Sequence, residues 1–191
     1  EARDAAEAVV VDYEVLPAVT DAVKALEADQ PQLHPEAPGN LIYDWQIGDG
    51  DATDAAIAAA AHVTEMKIVN NRLAPNPMEP RAALGIYDSA EDHYTCYTTS
   101  QNPHVARLVM SAFYNVAPEN KLRVIAPDVG GGFGSKIYIY PEEIVCLWAS
   151  KKTGVPVKWV ADRTESFLSD AHGRDHVSEV AMAFDKNNRI V

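Results

Sequence analysis

Basic side chains are scarce in this 191-residue chain: 16 lysines and arginines stand against 28 aspartates and glutamates, for a net charge of −12. A surface of that sign repels phosphate backbones and anionic lipid, which disfavours non-specific binding to nucleic acid or an anionic membrane. Long apolar runs are missing as well, and none approaches the roughly 20 residues of a membrane span. Cysteine is limited to Cys96 and Cys146, with neither a disulfide framework nor metal-ligand spacing. The expectation is two small buried hydrophobes in a reducing compartment, the cytoplasm. No repeat and no low-complexity tract occurs. The opening Glu1-Ala2-Arg3-Asp4 lacks a start methionine and resembles no signal peptide, and the chain stops inside a strand-like pattern. Both ends are those expected of an internal piece of a longer protein.

What is present suits a globular fold. Apolar residues make up 47% and charged residues 23%, enough for a sizeable core. Residues 2–8 pattern as a short helix, and the β-branched run 9–15 as a strand. Thr20 and Asp21 are placed to cap a short helix through Ala28. Prolines 31, 35 and 38 with glycines 39, 48 and 50 then mark a linker over 31–50. Asp51, Thr53 and Asp54 start an alanine-rich helix to about Ala61, followed by a strand over 62–72. Prolines 75, 77 and 80 make 73–80 irregular, and 82–88 and 94–99 read as paired strands. A helix follows Pro103, with Val105, Leu108, Val109, Ala112 and Phe113 on one face. Residues 121–126 form a strand, 140–152 a helix stopped by Gly154 and Pro156, 157–160 a strand, 163–169 a short helix and 177–184 a strand. The mixture predicts an α+β fold and not a regular parallel array.

Chemistry concentrates in Asp128-Val129-Gly130-Gly131-Gly132-Phe133-Gly134-Ser135-Lys136. Glycines permit positive φ and close backbone approach, and consecutive N–H groups in such a turn make a concave anion site. A helical pattern just beyond would add its own unpaired N–H groups. The frame fits neither a P-loop, since Ser135-Lys136 is in the wrong order, nor a dinucleotide loop, since position 135 is not glycine. On composition alone a tight structural turn is favoured over a ligand loop. Gln101, like the glycine loop, lies between a strand and a helix, so both can occupy one edge of a domain. Its neutral amide suits an oxo group; alone it would read as a neighbour of a helix cap.

Together, Thr98-Thr99-Ser100-Gln101-Asn102-Pro103-His104 and the glycine stretch resemble the molybdenum hydroxylases, the family of xanthine dehydrogenase, aldehyde oxidase and carbon monoxide dehydrogenase large subunits. Asn76-Pro77-Met78-Glu79-Pro80-Arg81 and Asp162-Arg163-Thr164-Glu165-Ser166-Phe167 match its bacterial branch similar to carbon monoxide dehydrogenase. The resemblance implies that residues 1–30 end an α/β-hammerhead domain, 31–50 link, and 51–191 begin the molybdopterin-binding domain, truncated here. It implies that Gln101 hydrogen-bonds an oxo ligand of molybdenum and that the Phe133 N–H reaches the metal's oxygen ligand. Gly131, Gly132 and Gly134 allow that approach, and neither Gln101 nor Phe133 ligates the metal. The implied cofactor is molybdopterin cytosine dinucleotide. An iron–sulfur small subunit and an FAD medium subunit are the implied partners, in a dimer of heterotrimers acting on a small molecule.

Departures narrow the reading. Some xanthine-oxidising relatives carry Glu where this chain has Ile137, which disfavours a purine. The family's catalytic Glu and copper-binding Cys lie downstream, outside these residues, so this stretch alone is expected to be inactive. An aldehyde or aromatic heterocycle is the expected substrate class; carbon monoxide oxidation and a cofactor-free interaction domain are the alternatives. His172 and His176 are spaced for zinc on a helix, but Gly173 argues against a helix there. Glu142 and Glu143 complement a helix dipole, and Arg163 and Arg174 read as structural or pairing residues.

Overall fold

The computed structural model describes all 191 residues. They divide into two compact units: Glu1–Asn70 with His176–Val191, and Asn71–Asp175.

The first unit holds helices α1 (Ala2–Glu7) and α2 (Gly50–Ala59) and strands β1 (His62–Asn70) and β6 (His176–Phe184). β1 and β6 form an antiparallel ribbon in register from His62↔Phe184 to Asn70↔His176. Residues 9–15, expected as a strand, are irregular, and Val10 and Val15 are about nine-tenths exposed. Their β propensity is genuine, but a strand needs a partner for its N–H and C=O groups and none pairs with this run. Asp21 accepts from the Val23 and Lys24 N–H groups as a cap should, yet it starts only a 3-10 turn at Lys24–Leu26. Too few residues follow for the cost of helix nucleation to be recovered. Pro38–Asn40 is another such turn, tied down by Gln32 and Asn40 side chains. Asp49, not the acidic residues after it, caps α2 by accepting from the Ala52 N–H at 2.9 Å.

The second unit is built on a four-stranded sheet in the order β4 (Leu122–Ile125), β3 (His93–Thr98), β2 (Ala82–Asp88), β5 (Val157–Val160). β2 is antiparallel to β3 and β5, whereas β3 and β4 run parallel through helix α3 (Pro103–Ala112). Helices α4 (Pro141–Thr153) and α5 (Arg163–Ser169) complete it, a mixed α and β fold as expected. Tyr94, Cys96, Met110, Leu122 and Leu147 form the core. Gly85 permits close packing of α4 on β2: a Cβ there would lie 2.4 Å from the Cys146 carbonyl carbon. Gly154, at φ 73°, ends α4 as anticipated.

Two expectations fail here. α3 buries Ala106 and Met110, while Val105 and Leu108 are half-exposed and Phe113 more so. The stripe was wide, and the sheet takes the face whose small Ala106 lets the backbone come close while Met110 fills the core. No α-helix follows the glycine loop either. Ser135–Ile137 is a single 3-10 turn with Lys136 off helical geometry, Tyr138 is extended, and α4 waits for Pro141. No helix is long and apolar enough to cross a membrane.

Candidate functional site

Parallel pairing of β3 and β4 brings their C-terminal ends to one edge of the sheet. Gln101 leaves β3 there and the glycine loop leaves β4 there, the edge where open α/β sheets place ligands. The two are in contact. The Gly134 N–H donates to Gln101 Oε1 at 2.9 Å, and the Gln101 N–H donates to the Lys136 carbonyl at 2.9 Å. A Cβ on Gly132 would stand 2.3 Å from Gln101 Oε1, so only glycine leaves room for this side chain. Because a backbone N–H can be met only by the amide oxygen, the Gln101 NH₂ is the group left to donate outward.

The loop is fixed at several points. Ser135 donates to the Gly132 carbonyl from its N–H at 3.0 Å and its hydroxyl at 2.9 Å, and Tyr140 OH donates to the Ser135 carbonyl at 2.6 Å. Gly131 and Gly134 have φ of 95° and 91°, and Phe133 takes φ 50° despite its side chain. A non-glycine residue held there stores strain that surrounding contacts must sustain. Phe133 is three-quarters exposed at the tip. The N–H groups of Gly131, Gly132 and Phe133 find no acceptor within the chain. Three unpaired donors beside an outward amide form a cradle for an oxygen-rich anion.

Behind the cradle lies a buried polar layer that sequence reasoning left unassigned. Arg81, 4% exposed, donates from Nε to Asp170 at 2.6 Å, from Nη1 to Glu142 at 3.1 Å and from Nη2 to Ser169 Oγ at 2.9 Å. Its guanidinium lies 3.6 Å from the Tyr140 ring centroid. Burial opposes that charge, but Asp170 and Glu142 outweigh it and raise its pKa. Glu142 and Glu143 therefore do more than face a helix dipole. Glu143 accepts from the Thr98 hydroxyl and, at 3.0 Å, from the Tyr140 N–H. Burial pushes its carboxyl above the usual range against both hydrogen bonds. Arg163 is structural, as expected, donating to Asn76 Oδ1 at 2.6 Å and to the Pro77 and Met78 carbonyls at 2.8 and 3.1 Å. It thereby holds the proline turn, whose Glu79 reaches Lys136 Nζ at 2.8 Å. The signal was present in Asn76-Pro77-Met78-Glu79-Pro80-Arg81, but a motif does not say which side chain it aims.

The two histidines are engaged by different partners. His172 Nδ1 accepts from Arg72 Nε at 2.8 Å, and the His176 ring lies 3.1 Å from the Asn70 amide nitrogen. Neither is on a helix, and Arg174 stands at φ 68° in the turn between them.

The sequence profile described as molybdopterin cofactor-binding domain matches residues 33–191. The chain belongs to that family. It is 38% identical to the carbon monoxide dehydrogenase large chain of Hydrogenophaga pseudoflava, over all of its own length and 25% of the relative's. It is 34% identical to the nicotine 6-hydroxylase large subunit of Paenarthrobacter nicotinovorans, over 99% of its length and 23% of that protein. Its fold superposes on the reconstituted CO dehydrogenase from Oligotropha carboxidovorans with a TM-score of 0.87 and 37% identity, covering 100% of this chain and 25% of that one. The chain thus spans about a quarter of the length of these relatives.

Proposed function

We propose that this chain is part of the cofactor-binding large subunit of a molybdenum hydroxylase, an oxidoreductase acting on an aldehyde or aromatic heterocycle. The observation that carries the reading is the Gln101 amide, its oxygen tied to the Gly134 N–H and its NH₂ turned outward beside three unpaired loop N–H groups. Donors of this kind suit the oxo and phosphate oxygens of a molybdenum pterin dinucleotide, and Gly132 leaves the space that the approach needs. When bound, that group supplies two-electron oxidation with oxygen drawn from water.

The chain's own part is to bind and orient. With the group bound, Gln101 would donate to an oxo oxygen, the Phe133 N–H would reach the metal's oxygen ligand, and Gly131, Gly132 and Gly134 would let the backbone come close. Such donors are fixed before the reaction and cost no reorganisation during it. Proton transfer belongs to a Glu outside these residues. The dinucleotide would be the cytosine form, with iron–sulfur and FAD subunits as electron-accepting partners in a cytoplasmic dimer of heterotrimers. Residues 1–30 end a hammerhead-like domain, 31–50 link it, and 51–191 open the cofactor domain.

Carbon monoxide oxidation at a molybdenum–copper site is the second reading, favoured by the 38% identity to a carbon monoxide dehydrogenase chain. Cys96 and Cys146 are buried in the core, so a copper ligand would have to come from elsewhere. Metal analysis of the purified enzyme separates the readings. Molybdenum at one per large subunit without copper supports hydroxylation, molybdenum with copper supports carbon monoxide oxidation, and neither metal leaves an interaction domain. Replacing Gln101 by Ala should lower turnover about 100-fold, the loss typical of one preorganised donor, with subunits still assembled. Unchanged turnover removes Gln101 from the site.

A further inference from the structure

We propose that Glu79 and Lys136 form a positioning clamp that sets the shape of the glycine loop and thereby the aim of its free N–H groups. The proposal rests on reading that loop as the cofactor cradle.

A single oxygen, Glu79 Oε2, accepts from Lys136 Nζ at 2.8 Å and from the Gly130 N–H at 2.8 Å. It therefore ties together the first glycine of the loop and the lysine that ends it. The Glu79 N–H returns a bond to the Gly130 carbonyl at 3.2 Å, so the proline turn and the loop hold each other in both directions. Gly130 permits this approach, since a Cβ there would lie 2.6 Å from Glu79 Cβ. The Lys136 side chain is 1% exposed, and a buried ammonium demands such a partner. An ordinary surface ion pair would leave both groups solvated and loosely placed.

The clamp reaches the site in one further step. The Lys136 carbonyl accepts the Gln101 N–H, and Gln101 Oε1 in turn accepts the Gly134 N–H. On the other side, Arg163 fixes Asn76, Pro77 and Met78, which precede Glu79. The strained Phe133 thus sits between two anchored ends, as its positive φ requires.

The test compares Glu79→Gln, Lys136→Met and the charge exchange Glu79→Lys/Lys136→Glu in the assembled enzyme. The readouts are molybdenum per chain, residue-resolved amide exchange over 128–138, and melting temperature. Each single substitution should speed exchange at Gly130 and Gly134 on the order of tenfold and lower the molybdenum content. The charge exchange should restore neither, because an ammonium at position 79 offers the Gly130 N–H no acceptor. Recovery of wild-type exchange and molybdenum in the exchanged pair would reduce the contact to a plain ion pair and overturn the clamp. So would single variants with wild-type exchange at both glycines. Lys136→Met removes the buried charge itself, so it remains informative if Glu79→Gln does not fold. A wild-type enzyme lacking molybdenum would defeat the cofactor reading while the exchange data still decide the clamp. Loss of molybdenum in Gly132→Ala alongside unaffected Glu79→Gln and Lys136→Met variants would do the reverse.

Discussion

Gln101 and Gly132 are mutually dependent: the amide oxygen of one occupies the space that a Cβ on the other would need, 2.3 Å away. Gly132→Ala should therefore expel the Gln101 side chain and release the Gly134 N–H from it. Stability should fall only modestly, by about 1–2 kcal/mol, since the displaced group is a flexible side chain near the surface. Molybdenum content of the purified enzyme should drop far more than melting temperature. Full metal occupancy in this variant would contradict the placement.

Arg81→Met tests the polar layer. It leaves Asp170, whose side chain is 2% exposed, as a buried carboxylate without its cation. Breaking such a pair costs about 3–5 kcal/mol, to be read from urea unfolding. Adding Asp170→Asn should recover part of the loss. A single-variant cost below about 1 kcal/mol would mean that Asp170 is solvated.

Glu143 gives a pH signature. Burial raises its carboxyl above the ordinary 4.5, so the folded chain holds this proton more tightly than the unfolded one. Its contribution to stability is greatest at low pH, declines from about 4.5 up to the folded-state value, and is flat above it. The stability of wild type minus that of Glu143→Gln should fall over that window and then level off. A difference that rises with pH would reverse the assignment.

Both thiols should be silent in the native state. Cys96 is fully buried, and burial, with Glu143 and Cys146 nearby, pushes its thiol up to about 12. Cys146 is 2% exposed. A disulfide reagent should titrate neither in buffer and both in urea. Rapid release of one equivalent in buffer would show the core to be open.

Elements with complete local signals were legible in the sequence. Asp162 caps α5 with Glu165 returning the bond, Gly154 stops α4, and β2 and β3 pair as their alternation indicates. The meeting of Gln101 with the glycine loop was legible in part, because each follows a strand and so can occupy one edge; the parallel pairing of β3 and β4 that brings them together was not. Residues 9–15 misled because propensity does not report whether a partner strand exists. The stripe on α3 misled because amphipathicity gives a width and not a single buried line. The Glu79–Lys136 contact joins positions 57 apart. No periodicity encodes such a pairing; only the folded turn creates it.

The β1–β6 ribbon bears on the order in which the chain folds. Its innermost pair, Asn70 and His176, brackets the whole of Asn71–Asp175. Closing so long a segment while it is still random costs roughly 4 kcal/mol or more in chain entropy, and a lone two-stranded ribbon gives little in return. Once Asn71–Asp175 has folded, the Leu73–Gly173 bridge holds its two ends together and replaces that long search. Refolding kinetics should therefore show the sheet around Cys96 acquiring protection first and the ribbon last, with destabilised inserts delaying the ribbon in proportion.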